Sequence, residues 1–183
     1  MMNKDLIDIA FSCLESSTEC TIEAKKHVAR LISIIFKFPQ VQEKLMHADV
    51  IKGICDLLGQ QRHTSIVRHT IQACTYISMN YDFISQKEFS RQILSSMMTL
   101  LDHVLTKQDL CNIILTIKNI LKGAKENRLF FLENGGTEKF AAIILEQTDI
   151  KVIEMCVEAI MLQAKYKKFM VAILKSRQHV KML

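Results

Sequence analysis

Apolar positions recur along this chain at helical spacing, and the same run of them returns four times. Windows opening at Ile22, Ile66, Leu110 and Val152 fall into register with offsets of 44, 44 and 42 residues. A period of that size predicts stacked helical units, none of which can bury its apolar face alone. The eighth column holds Ala29, Ala73 and Ala159, with Ile117 the larger exception, which suits helices of neighbouring units that approach closely. Thr18, Thr106 and Thr148 lie four positions before their windows as candidate N-caps, and Thr106 with Asp109 has capping-box spacing. Arg62 breaks that column, with Thr64 close by as a substitute.

The pattern predicts long helices over residues 20–38, 64–79, 106–122 and 149–165. Shorter helices fill the intervals. Leu6, Ile7, Ala10, Phe11 and Leu14 form one stripe over residues 4–14. VQEKLMHADVIKGICDLLGQ reads as a short helix, a corner at Ala48 and Asp49, and a second helix over 50–58. Residues 83–89 open the third unit, which continues through Ile93, Leu94, Met97, Leu100 and Leu101. In the fourth, ENRLFFLENGG (126–136) predicts a short helix that Gly135 and Gly136 end in left-handed backbone, with Thr137 capping a helix over 137–145. Pro39 stops the first long helix, Asn80 the second and Gly123 the third, and residues 169–176 begin a fifth unit.

Composition agrees with an all-α class: 49% of residues are hydrophobic, and 5 Gly and 1 Pro are few breakers for the turns of a sheet protein. No apolar run is long enough to span a bilayer, so no membrane partner is expected. Acidic residues inside the opening stretch MMNKDLIDIAFSC argue against a secretory leader. The six cysteines, Cys13, Cys20, Cys55, Cys74, Cys111 and Cys156, are scattered without a Cys-x-x-Cys, as buried thiols of a reducing, cytoplasmic compartment would be.

The net charge of +5 is local. Lys165, Lys167, Lys168, Lys175, Arg177 and Lys181 crowd a C-terminal stretch without an acid, and the rest of the chain is close to neutral. That argues against nucleic acid as a partner of the whole molecule. It leaves a basic C-terminal end, flanking the apolar 169–174, as a second candidate surface for an acidic partner helix or for nucleic acid.

Catalytic and cofactor chemistry find no support. There is no Gly-x-Ser-x-Gly, no glycine-rich phosphate loop and no His-Glu-x-x-His, and the six histidines stand at unmatched phases. Asp102 beside His103 points to a different side of a helix. The methionines, Met97 and Met98 among them, read as core filler before they read as a pliable groove. The expectation is a protein that is not an enzyme and holds no cofactor or metal.

The two-glycine corner, the period and the three-helix unit resemble armadillo repeats, with HEAT repeats the near neighbour. The resemblance implies a right-handed α-solenoid of about four three-helix repeats, one domain over residues 1–183 within a longer array, that binds a protein partner as a helix or extended peptide. In such folds the inner ridge of the long helices makes the contacts. Its third, seventh and tenth columns here are Ala24, Arg68, Asn112 and Glu154; Val28, Gln72, Thr116 and Glu158; and Leu31, Thr75, Asn119 and Met161. The importin type lines this ridge with Trp and Asn; this chain has no Trp and only Asn119 at the Asn position, against an importin-like adaptor. Residues 159–183 resemble the closing repeat of rotatin-type centriole assembly proteins, which would imply a cytoskeletal scaffold at the centriole or cilium.

Overall fold

In the computed structural model the described residues are 12, 20–45, 48–60, 62–103 and 106–163. Among them no strand occurs, and ten α-helices follow one another: α1 Ile22–Ile35, α2 Pro39–Leu45, α3 Ala48–Leu58, α4 Thr64–Ile77, α5 Tyr81–Ser85, α6 Lys87–Leu100, α7 Lys107–Gly123, α8 Lys125–Glu133, α9 Gly136–Glu146 and α10 Ile150–Met161. A single 3₁₀ turn, Leu101–His103, follows α6. The predicted helices over 4–14 and 169–176 lie outside the described residues.

The four long helices α1, α4, α7 and α10 pack side by side in chain order, and each interval supplies a short helix and a medium one. The chain is thus an all-α solenoid. Ala29, Ala73, Ile117 and Ala159, the eighth column, are all fully buried where neighbouring units meet. Around them Ile32, Ile54, Ile71, Leu94, Ile114 and Phe140 belong to one core that runs through the stack.

Polar contacts repeat with nearly the same period. Gln42 meets Asn80, Thr75 meets Thr116, Asn119 meets Ser78 and Asn127 meets Ser90, at separations of 38, 41, 41 and 37 residues. Ion pairs follow suit: Arg68–Asp109, Lys87–Glu126, Lys107–Asp149, Lys118–Glu158 and Lys139–Asp102 each join one unit to the next.

Several helix starts differ from expectation. Thr21 caps α1 by accepting from the Ala24 amide, and Thr18 lies outside the described residues. Asp149 rather than Thr148 caps α10, since its carboxylate reaches two amides, those of Lys151 and Val152. Gly135 has the expected left-handed backbone at φ 76°, but α9 already begins at Gly136; Thr137 lies within it and donates its hydroxyl to Gln163. No side-chain cap precedes α4, where His63 occupies the position and Thr64 is its first residue. Gly123 is the last residue of α7, without left-handed backbone, and its need for glycine is steric.

Thr106 caps α7 as predicted, but Asp109 answers through the Thr106 hydroxyl rather than its backbone N–H. Thr106 Oγ1 accepts from the Asp109 amide at 3.2 Å and donates to the Asp109 carboxylate at 2.7 Å. That carboxylate is 1% exposed and takes a second bond from Arg68 of α4 at 3.4 Å, so one acid both starts a helix and ties it to its neighbour. Asp109→Ala removes both roles and is expected to lower stability by about 1–3 kcal/mol, seen as a shifted urea midpoint with an unchanged m-value. A midpoint equal to the wild type would refute the assigned role.

Candidate functional site

The side chains that the long helices turn away from the core form one stripe across the stack. On α1 it exposes Lys26, His27, Arg30 and Ile34. Arg68 continues it on α4, with His69, Gln72 and Tyr76 half-buried. Next come Gln108 and Lys122 of α7, with Asn112, Leu115 and Lys118 partly covered, and then Glu154, Val157, Glu158 and Met161 of α10. Helical periodicity dictates this: the core takes the columns with Ala29 and Ile32, and the outward stripe is what remains on the opposite side.

The eight ridge residues singled out from sequence occupy two kinds of place. Arg68, Glu154 and Glu158 are exposed, and Gln72, Asn112 and Asn119 are half-buried. Thr75 and Thr116 are 6% and 0% exposed and lie between α4 and α7, where their hydroxyls share a hydrogen bond of 3.1 Å. Thr116 also donates to the Asn112 carbonyl at 2.8 Å. These two hold adjacent helices together. Asn119 is partly committed as well, since its amide donates to Ser78 Oγ at 3.2 Å.

Sequence columns missed Arg30, His69 and Lys118. Cross-unit partners on α4 and α7 are separated by 41 residues against a column offset of 44, and a pair on α7 and α10 by 40 against 42, so these helices sit between half a turn and a turn out of step with the aligned columns. The ninth column places Arg30 and Lys118 on the stripe. The alternation of a cation and an apolar residue in that column (Arg30, Cys74, Lys118, Ile160) was the available signal.

Charge is unevenly spread along the stripe. Helix α4 contributes Arg68 and His69 and no carboxylate, and α1 contributes Lys25, Lys26, His27 and Arg30 against Glu23 alone. At the other end α10 presents Glu154 and Glu158. Partial burial, then the charges of Arg30 and Arg68, lower the pKa of His69. The hydrogen bond from Lys118, at 2.7 Å, is the main cause that lowers the Glu158 pKa. The hydrogen bond with Lys107 likewise lowers that of Asp149.

Other concavities are small. A cleft of about 330 Å³ lies among Lys37, Pro39, Gln42, Tyr76, Met79 and Asn80 at the far end of α1 and α4, with the Lys37 ammonium 5.6 Å from the Tyr76 ring centroid. Gln42 fills its floor, bonded to the Phe36 carbonyl and to Asn80. Among the described residues no His, Cys, Asp or Glu cluster could hold a metal ion, and no helix is long and apolar enough to cross a membrane. Burial pushes the Cys156 thiol up to about 12 and raises that of Cys74, which suits inert core thiols. The basic positions Lys165, Lys167, Lys168, Lys175, Arg177 and Lys181 lie outside the described residues.

No protein-family model and no curated protein matches the sequence. Solved structures do match the fold. A crystal structure of computationally designed armadillo repeat proteins for modular peptide recognition superposes with a TM-score of 0.73 at 18% identity, covering 91% of this chain and 68% of that one. A second engineered protein superposes with a TM-score of 0.70 at 18% identity, covering 91% of this chain and 67% of its own. The chain therefore has an armadillo-like repeat fold.

Proposed function

We propose that this armadillo-like α-solenoid is a non-enzymatic scaffold that holds an extended segment of a partner protein along the outward stripe of α1, α4, α7 and α10. One observation carries the reading. The four long helices present a continuous surface across the whole stack on which side-chain amides, Gln72 and Asn112 among them, stand accessible beside charged groups. An extended peptide brings one unpaired N–H and one C=O per residue, and amide side chains can answer both. The design of a similarly folded protein for modular peptide recognition supports the same use.

An importin-like adaptor fits less well, because a lone Asn119 makes no ladder and part of its amide is bonded to Ser78. The centriolar reading rests on the resemblance of residues 159–183, most of them outside the described residues, and localisation of the tagged chain would test it.

The test of the scaffold reading is positional. A photo-crosslinking amino acid at position 72, 112 or 154 is expected to trap discrete proteins in lysate. The same group at exposed Gln92 of α6 or Ala142 of α9 is expected to trap none of them. Equal labelling from both sets would overturn the assignment of the surface.

A further inference from the structure

The outward stripe is basic at its α1–α4 end, and only at its α10 end does it carry acids, Glu158 paired with Lys118 and Glu154, among the described residues, unpaired. Arg30 of α1 and Arg68 of α4 approach the same half-buried imidazole, His69, across the most intimate helix contact of the fold. Arg68 already serves the Asp109 carboxylate, yet half of its side chain remains exposed. Among the described residues Arg30 has no ion-pair partner, and on α10 Glu154 has none either. Two exposed cations beside one half-buried imidazole make a place where a carboxylate would gain both Coulomb attraction and forked hydrogen bonds. At the opposite end Lys118 already bonds Glu158 at 2.7 Å, and a carboxylate would meet the unpaired Glu154.

We infer that the partner segment is acidic at one end and lies in one direction on the stripe, its carboxylates between Arg30 and Arg68 and its neutral or basic end over Glu154 and Glu158 of α10. The inference rests on the reading of this stripe as the binding surface and adds the chemistry of the occupant and its polarity. Charges at the rim of a groove act chiefly by favouring one partner and one orientation over others, so the expected effect is on selectivity first and affinity second.

The test uses a displayed library of random dodecapeptides selected on the full chain, on Arg30→Glu and on Glu154→Lys. Arg30 is exposed and outside the core, so its reversal is expected to leave the thermal melt unchanged. The wild type is expected to enrich peptides with Asp or Glu gathered at one end. Arg30→Glu is expected to lose that bias, and one selected peptide, synthesised with a fluorescent label, should bind this variant about fivefold to tenfold more weakly at low salt, with the difference shrinking as salt rises. Glu154→Lys should admit peptides acidic at both ends. Enrichment without acidic bias, or a bias that survives in Arg30→Glu, would overturn the inference and leave the scaffold reading standing; the latter result would place acid binding elsewhere, as on the lysine-rich 165–181. Failure to enrich any peptide would overturn the reading of the stripe itself.

Discussion

Phe131→Ala is expected to destabilise the protein by about 3–5 kcal/mol, the range for emptying a fully buried phenylalanine site. Phe131 is 0% exposed, and its ring meets that of Phe140 edge to face with centroids 5.1 Å apart. It is the hinge pin of the corner between α8 and α9. A Cβ on Gly136 would lie 2.4 Å from the Phe131 ring, so the absence of a side chain at 136 is what lets the ring close the corner. The two sites should therefore couple: Gly136→Ala should be harmful in the wild type and much less so beside Phe131→Ala. Urea denaturation of the single and double variants reads the coupling, and strict additivity would refute it.

Gly123→Ala carries the second large effect. An added Cβ at Gly123 would stand 2.7 Å from the carbonyl oxygen of Ile84 and 3.1 Å from its carbonyl carbon. These are backbone atoms of α5, which cannot turn aside as a side chain can, so α5 and the end of α7 must part. Overpacking of this kind costs about 1–3 kcal/mol, more than the helix propensity that alanine would recover. Gly59→Ala is the control, since its Cβ would come no nearer than 3.3 Å to the Asp56 carbonyl oxygen. Thermal melts should show a clear loss at 123 and a small change at 59; equal melts for both would remove the steric account.

Much of the fold was legible because helix-period burial writes itself into sequence directly. Ala29, Ala73 and Ala159 recur because three close helix approaches recur, and Thr106 with Asp109 announces a helix start that depends on adjacent residues only. The relative slide of neighbouring helices is another matter. It depends on how α3, α6 and α9 pack beneath the long helices, which no local pattern states, and it decides that Thr75 meets Thr116 across the seam of α4 and α7. The Gly135–Gly136 pair predicts left-handed backbone at both positions, whereas the backbone of Gly136 is ordinary and its role is to make room for a ring.

The near-constant separation of the cross-unit contacts also has a mechanical side. Lys118–Glu158, Arg68–Asp109 and Asn127–Ser90 each tie a unit to the one beside it. A pull on the two ends therefore passes through the joints in series, Arg68–Asp109 at one and Lys118–Glu158 with Asn127–Ser90 sharing the load at the next. A solenoid linked this way is a spring of short, similar coils: it can lengthen or flatten a little at every joint while each core stays closed. Its compliance is spread over the stack, so the curvature of the stripe can adjust to what lies on it by small slips at several joints, with no single hinge to break.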